Sequence, residues 1–84
     1  MRIMKIEVQC YARKAEGGPV RFSMGQTVLF IESIQDRWNG DDNLYFRVVA
    51  DDGNSYVIGH HQKTGEWTLE SFRARELAQS FIEN

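Results

Sequence analysis

The chain has 84 residues and one cysteine, so it makes one domain with no disulfide inside it. Its 10 cations and 12 anions leave a net charge of −2, which argues against a dedicated DNA-binding protein. No stretch approaches the ~18 consecutive apolar residues of a membrane span, and Met1-Arg2-Ile3-Met4-Lys5 has no apolar run of signal-peptide length. A lone cysteine without a secretory pattern predicts a reducing, cytoplasmic setting.

The first element alternates: Met4, Ile6, Val8 and Cys10 share one side, Lys5, Glu7 and Gln9 the other. A period of two marks a half-buried strand. Gly17-Gly18-Pro19 breaks it with turn chemistry, and Val20, Phe22 and Met24 resume the alternation. Gly25-Gln26 turns into a β-rich run, Thr27 to Arg37, whose apolar phase changes. Leu29 and Ile31 have one parity; Val28, Phe30 and Ile34 have the other. Either the early part is buried on both sides, or a β-bulge lies near Ile31 to Ser33. Trp38 to Asn43 is polar, contains Gly40 and reads as a loop.

Leu44, Phe46, Val48 and Ala50 then alternate with Tyr45, Arg47 and Val49, and Asp51-Asp52-Gly53 makes a turn. A three-residue loop closed by a left-handed Gly53 puts Val48 opposite Tyr56 and Phe46 opposite Ile58. A two-residue turn would shift the register by one and spoil the apolar face. In the next hairpin a Gln62–Gly65 loop sets Ile58 opposite Leu69 and His60 opposite Trp67, with Glu66, Thr68 and Glu70 toward water. From Phe72 the period becomes helical: Ala74, Leu77, Ala78, Phe81 and Ile82 form an apolar stripe, with Ser71 as N-cap. The predicted fold is mainly β: a six-stranded antiparallel meander curling into a small SH3-like barrel over 1–72, with one C-terminal amphipathic helix over 73–84 packed on it.

Pro19 to Leu69 carries a pattern of Pro19-Val20-Arg21-Phe22, Asp36-Arg37-Trp38, Tyr45-Phe46-Arg47-Val48, Asp52-Gly53-Asn54, Tyr56 and Trp67-Thr68-Leu69. In this it resembles a set of short bacterial β-rich proteins to which no activity is attached. The resemblance implies a fold rather than a mechanism, since most of these are turn or core positions. It also implies a setting, because similar small domains accompany DNA-repair polymerase genes in some bacteria.

Catalytic and metal chemistry find little support. Adjacent strand residues point to opposite faces, so His60 and His61 do not share an ion, and the aspartates lack the alternating oxygen spacing of a calcium loop. No Gly-x-Ser-x-Gly elbow or Gly-rich phosphate loop occurs. Cys10 alternates with apolar residues and reads as a buried thiol; a Cys10–His60 nucleophile pair is the one catalytic alternative. No catalytic, cofactor or metal site is therefore assigned.

Binding is the better reading. Tyr11, Arg13 and Lys14 border the Gly-Gly loop and Arg37-Trp38 ends a strand, so both places offer cations beside aromatics. Leu77 and Phe81 lie four apart on the terminal stripe, suited to the chain's own barrel or to a second copy. The sequence predicts a non-enzymatic module that binds a protein partner or itself as a homodimer. The alternative is a nucleic-acid-associated accessory, and an enzyme comes third.

Overall fold

A computed structural model describes residues 4–10 and 18–74. Six strands follow one another: Met4–Cys10 (β1), Pro19–Met24 (β2), Thr27–Asn39 (β3), Asn43–Ala50 (β4), Ser55–His61 (β5) and Trp67–Arg73 (β6). Each pairs antiparallel with the next, and β1 pairs with β6 to close a barrel in the order β1-β2-β3-β4-β5-β6.

Two strands change partners half-way. In β1, Met4 to Ile6 pair with β6, and Glu7 to Cys10 pair with β2. In β3, Thr27 to Phe30 pair with β2, and Ile31 to Asn39 pair with β4. The transfer in β3 happens at a bulge: Ile31 faces Ala50 and Ser33 faces Val49, leaving Glu32 as the extra residue. An extra residue bends a strand and strengthens its twist, which turns it round the barrel. This is the bulge that the phase change required, and the early part of β3 is not buried on both sides, since Val28 and Phe30 are exposed. A second bulge, unforeseen in the sequence, lies between Ile34 and Asp36.

The β4–β5 hairpin has the register that its amphipathy demands. Phe46 faces Ile58 and Val48 faces Tyr56. Gly53 has φ 85°, Ala50 N donates to Asn54 O at 3.0 Å, and Gly53 N donates to Ala50 O at 2.9 Å. Across β5–β6, Ile58 faces Leu69 and His60 faces Trp67, with Glu70 as an extra residue below.

Inward residues of all six strands make one core. Phe46, Val48, Ala50 and Ile58 are 0% exposed and Phe22 is 1% exposed. Aromatic rings run through it: Phe22 meets Tyr56 edge-on at 5.1 Å, Tyr56 meets Phe72 at 5.2 Å, and Phe46 meets Trp67 at 5.8 Å. Such pairs add about 0.5–1.5 kcal/mol each beyond area burial.

Four expectations need correction. The described residues contain no helix; β6 continues through Ser71, Phe72 and Arg73, where a cap and first turn were expected. Ser55 pairs with Arg73 and Tyr56 with Phe72, so cross-strand pairing and the Tyr56–Phe72 ring contact set the backbone there. Leu77 and Phe81 lie outside the described residues. Trp38 and Asn39 belong to β3 rather than to a loop, because they pair with Tyr45 and Leu44. Met4 shares the inward parity of its partner Leu69 but stands exposed at the barrel's end. Thr68 was expected to face water, yet it is 7% exposed, covered by its hydrogen bonds to His61 and Glu70. No helix among the described residues is long and apolar enough to cross a membrane.

The β4–β5 turn is tied by Asp52. Its carboxylate accepts from Tyr56 Oη at 2.6 Å, Asn54 N at 2.9 Å and Asn54 Nδ2 at 3.1 Å. Burial raises the Tyr56 phenol, and with the bond to Asp52 it goes from the ordinary 10 up to about 12. For Asp52, burial acts upward, but the hydrogen bonds from Tyr56 and Asn54 outweigh it and hold the carboxyl below its usual range.

Two outcomes follow for the hairpin. A Cβ at Gly53 must enter the left-handed region, so Gly53→Ala should cost about 1–2 kcal/mol in urea unfolding, with Gly53→Asn costing less. The fold favours the protonated phenol of Tyr56, so that contribution is full below pH 10 and is lost as pH rises from 10 to about 12. Unfolding midpoints measured across that range should fall for the wild type, and the part due to this phenol should vanish in Tyr56→Phe.

Candidate functional site

The outer face of the β3–β4–β5–β6 sheet holds the densest set of functional side chains. Alternation along β4 sends Leu44, Phe46 and Val48 inward and Tyr45, Arg47 and Val49 outward. Pairing then lines up Trp38, Tyr45, Gly59 and Thr68 in one outward row, and Asp36, Arg47, Val57 and Ser71 in the next.

Tyr45 is the centre of the first row. A Cβ at Gly59 would stand 3.1 Å from Tyr45 Cδ1 and Cε1, and one at Gly40 would stand 2.9 Å from Tyr45 Cε2. The two glycines therefore make room for the ring. Asn43 Nδ2 donates to Tyr45 Oη at 2.8 Å and fixes its far end. Trp38 stacks on Tyr45 with centroids 5.6 Å apart and planes 23° apart. The Arg47 guanidinium lies 5.8 Å from the Trp38 ring centre, and its Nη1 is 3.9 Å from Asp36 Oδ2. A cation at that distance from an indole gains about 0.5–1 kcal/mol when exposed.

Below Tyr45 the same face opens into a cleft of about 440 Å³ lined by Arg47, Arg73, Ser55, Ser71 and Gln35, with Val57 and Tyr56. Among the described residues no carboxylate lines it. Above Tyr45 the two loops frame a cleft of about 460 Å³ with the opposite character, where Asp41, Asp42 and Glu66 face His61 and Lys63. Lys63 pairs with Asp42 at 3.6 Å and Lys5 with Glu66 at 3.2 Å, all exposed, so these pairs contribute little to stability. Thr68 Oγ1 donates its one proton to Glu70 Oε2 at 2.6 Å, so His61, at 3.1 Å, donates Nε2–H to Thr68.

The expected site residues fall apart in the structure. Arg37 and Trp38 are neighbours in sequence but point to opposite faces: Arg37 lies over the core ring of Phe46 at 5.6 Å, while Trp38 faces outward. The cation that Trp38 meets is Arg47. Tyr11, Arg13 and Lys14 lie outside the described residues. Tyr45, Arg47 and Arg73 were missed, although the outward parity of Tyr45 and Arg47 was legible; what was hidden was the β3 register that sets Trp38 beside them. His60 stacks on Trp67 at 4.5 Å, away from His61, and burial pushes the Cys10 thiol up, which makes it a weak nucleophile. Among the described residues no three His, Cys, Asp or Glu side chains gather as a metal set.

Trp38 is 37% exposed and Trp67 9%. Acrylamide should therefore quench Trp38, left alone by Trp67→Phe, several-fold more strongly than Trp67, left alone by Trp38→Phe. In a double-mutant cycle, Trp38→Ala and Tyr45→Ala should couple by about 0.5–1.5 kcal/mol. Additive losses would mean that the stack holds nothing.

No protein-family model matches the chain, and neither a curated protein nor a solved structure matches it. The function is therefore argued from the geometry of the site.

Proposed function

We propose that the chain is a non-enzymatic binding module that takes an extended segment of a partner protein along the outer edge of β3. One observation carries this reading. Ile31 to Asn39 pair with β4 on one side, and among the described residues no strand pairs with the other. A strand edge with N–H and C=O groups not committed to a neighbouring strand accepts a further strand, which here has to displace the local bond from Arg37 N to Asp36 Oδ1 at 2.8 Å. The two bulges and the charges of Glu32, Asp36 and Arg37 restrict what can pair there, as guarded edges do. They leave Asp36 to Asn39 as the regular run.

That run favours a foreign strand over a second copy. A two-fold axis centred on Asp36 sets Asp36 against Asp36, and one centred on Arg37 sets Arg37 against Arg37; like charges directly opposite destabilise a pair. Axes centred on Trp38 or Asn39 drive the pairing into the Gly40–Asp42 loop. The partner strand that fits carries a cation opposite Asp36 and an aromatic or β-branched residue opposite Trp38.

A displayed library of extended peptides, panned against the full chain, tests this. Binders should protect β3 amides from hydrogen exchange. Adjacent strand residues aim their N–H groups to opposite sides, so one of Asp36→Pro and Arg37→Pro removes an outward donor and keeps the barrel. That folded variant should lose peptide binding. Peptides that bind it as well as the wild type, or that protect other strands, would overturn the reading.

A further inference from the structure

We infer that the outer face of the β3–β4–β5–β6 sheet is a binding site for single-stranded nucleic acid, with a base against Trp38 and the neighbouring phosphate between Arg47 and Arg73. The inference is independent of strand addition at β3, which uses the backbone edge rather than this face.

Three observations converge. The 440 Å³ cleft presents two guanidinium groups, the Ser55 and Ser71 hydroxyls and the Gln35 amide. That donor set, with no carboxylate among the described lining residues, is complementary to a phosphate, which arginine binds with its planar fork. Next to it stands an aromatic platform, Trp38 stacked on Tyr45, with the indole 37% exposed. Arg47 joins the two, since it lines the cleft and lies 5.8 Å from the Trp38 ring centre. An anionic cleft partner and a stacking partner linked through one arginine match a nucleotide: a π-face beside a phosphate.

Carboxylates on this face are themselves engaged, Glu70 by Thr68 Oγ1 at 2.6 Å, and Arg73 has an interaction of its own that a phosphate has to share. Among the described residues the carboxylate paired with Arg47 is Asp36, at 3.9 Å, which is beyond the 2.7–2.9 Å of a charge-assisted hydrogen bond. A phosphate has to draw Arg47 from that loose pair. Asp36 therefore acts as a brake on binding, and neutralising it strengthens the site. Asn at 36 keeps the oxygen that accepts from Arg37 N at 2.8 Å, so the strand is undisturbed.

The experiment is fluorescence anisotropy of the full chain with a labelled thymidine oligonucleotide of about ten residues, in about 50 mM salt, with folding of each variant checked by its thermal transition. Wild type should bind with a log–log salt slope of about −0.7 for the one phosphate held between the two arginines, and Arg73→Gln should weaken binding and flatten that slope. Trp38→Ala should weaken binding about tenfold, while Trp38→Phe should keep most of it. Asp36→Asn should tighten binding several-fold. An abasic strand of equal length should bind as weakly as Trp38→Ala binds the intact one. No binding by the wild type, no gain in Asp36→Asn, or equal affinity for the abasic strand would each overturn the inference. So would a tyrosine-phosphorylated peptide that outcompetes the oligonucleotide, which would assign the same cleft to protein.

Discussion

The extra residue at Glu32 is the constraint on which the rest of the molecule depends. Before it, β3 pairs with β2; after it, β3 pairs with β4. One strand thus belongs to two sheets, and with β1 doing the same between β6 and β2 the barrel closes. The bulge also resets parity. With unbroken alternation from Leu29 and Ile31, Ile34 would fall on the outer parity; with one extra residue it stands opposite the fully buried Val48, although Ile34 itself stays 42% exposed. The second bulge, between Ile34 and Asp36, resets parity again and returns Trp38 to the outer face beside Tyr45. The shape of the barrel, the open edge and the aromatic pair follow from two insertions in one strand.

Closure matters because the core is small. Its wholly buried side chains are concentrated on β4 and β5, where Phe46, Val48, Ala50 and Ile58 are 0% exposed. Removing a buried Phe costs about 3–5 kcal/mol, against a total of roughly 5–15 for a native protein. A domain of this size has little to spare, and the β1–β6 pairs, Met4–Leu69 through Ile6–Trp67, hold the two ends of the meander over those residues. Sheet edges that water would otherwise reach are satisfied there.

Legibility in the sequence tracked how local the determining contact is. The β4–β5–β6 registers could be read because each hangs on a short turn and on alternation next to it, and Gly53 at φ 85° is the pivot. The first β3 bulge could be read because it leaves a phase error in the apolar pattern. The second could not, because Gln35, Asp36 and Arg37 are polar and carry no phase. For the same reason Trp38 reads as loop in the sequence, and only the register brings it to Arg47, nine residues on. The course of Ser71 to Arg73 shows the opposite failure. A helical spacing of apolar residues is present further along, but at Tyr56–Phe72 the non-local pair decides the backbone. Thr68 belongs to this class too, since only the placement of His61 and Glu70 shows why a threonine on the outer parity is covered.

Net charge is a poor guide to this surface because the fold sorts its charges. Carboxylates collect at the hairpin loops: Asp41 and Asp42 between β3 and β4, Asp51 and Asp52 between β4 and β5, and Glu66 just before β6. Several are occupied there, Asp52 by Tyr56 and Asn54, Asp42 by Lys63, and Glu66 by Lys5. On the outer face Arg47 and Arg73 line one cleft with the Ser55 and Ser71 hydroxyls and the Gln35 amide, while Asp36 stands against Arg47 and Glu70 is held by Thr68. At physiological salt, charges separated by more than about 8 Å are largely screened from one another, so an approaching ligand responds to the cleft it enters. An acidic chain can in this way carry a locally cationic cleft.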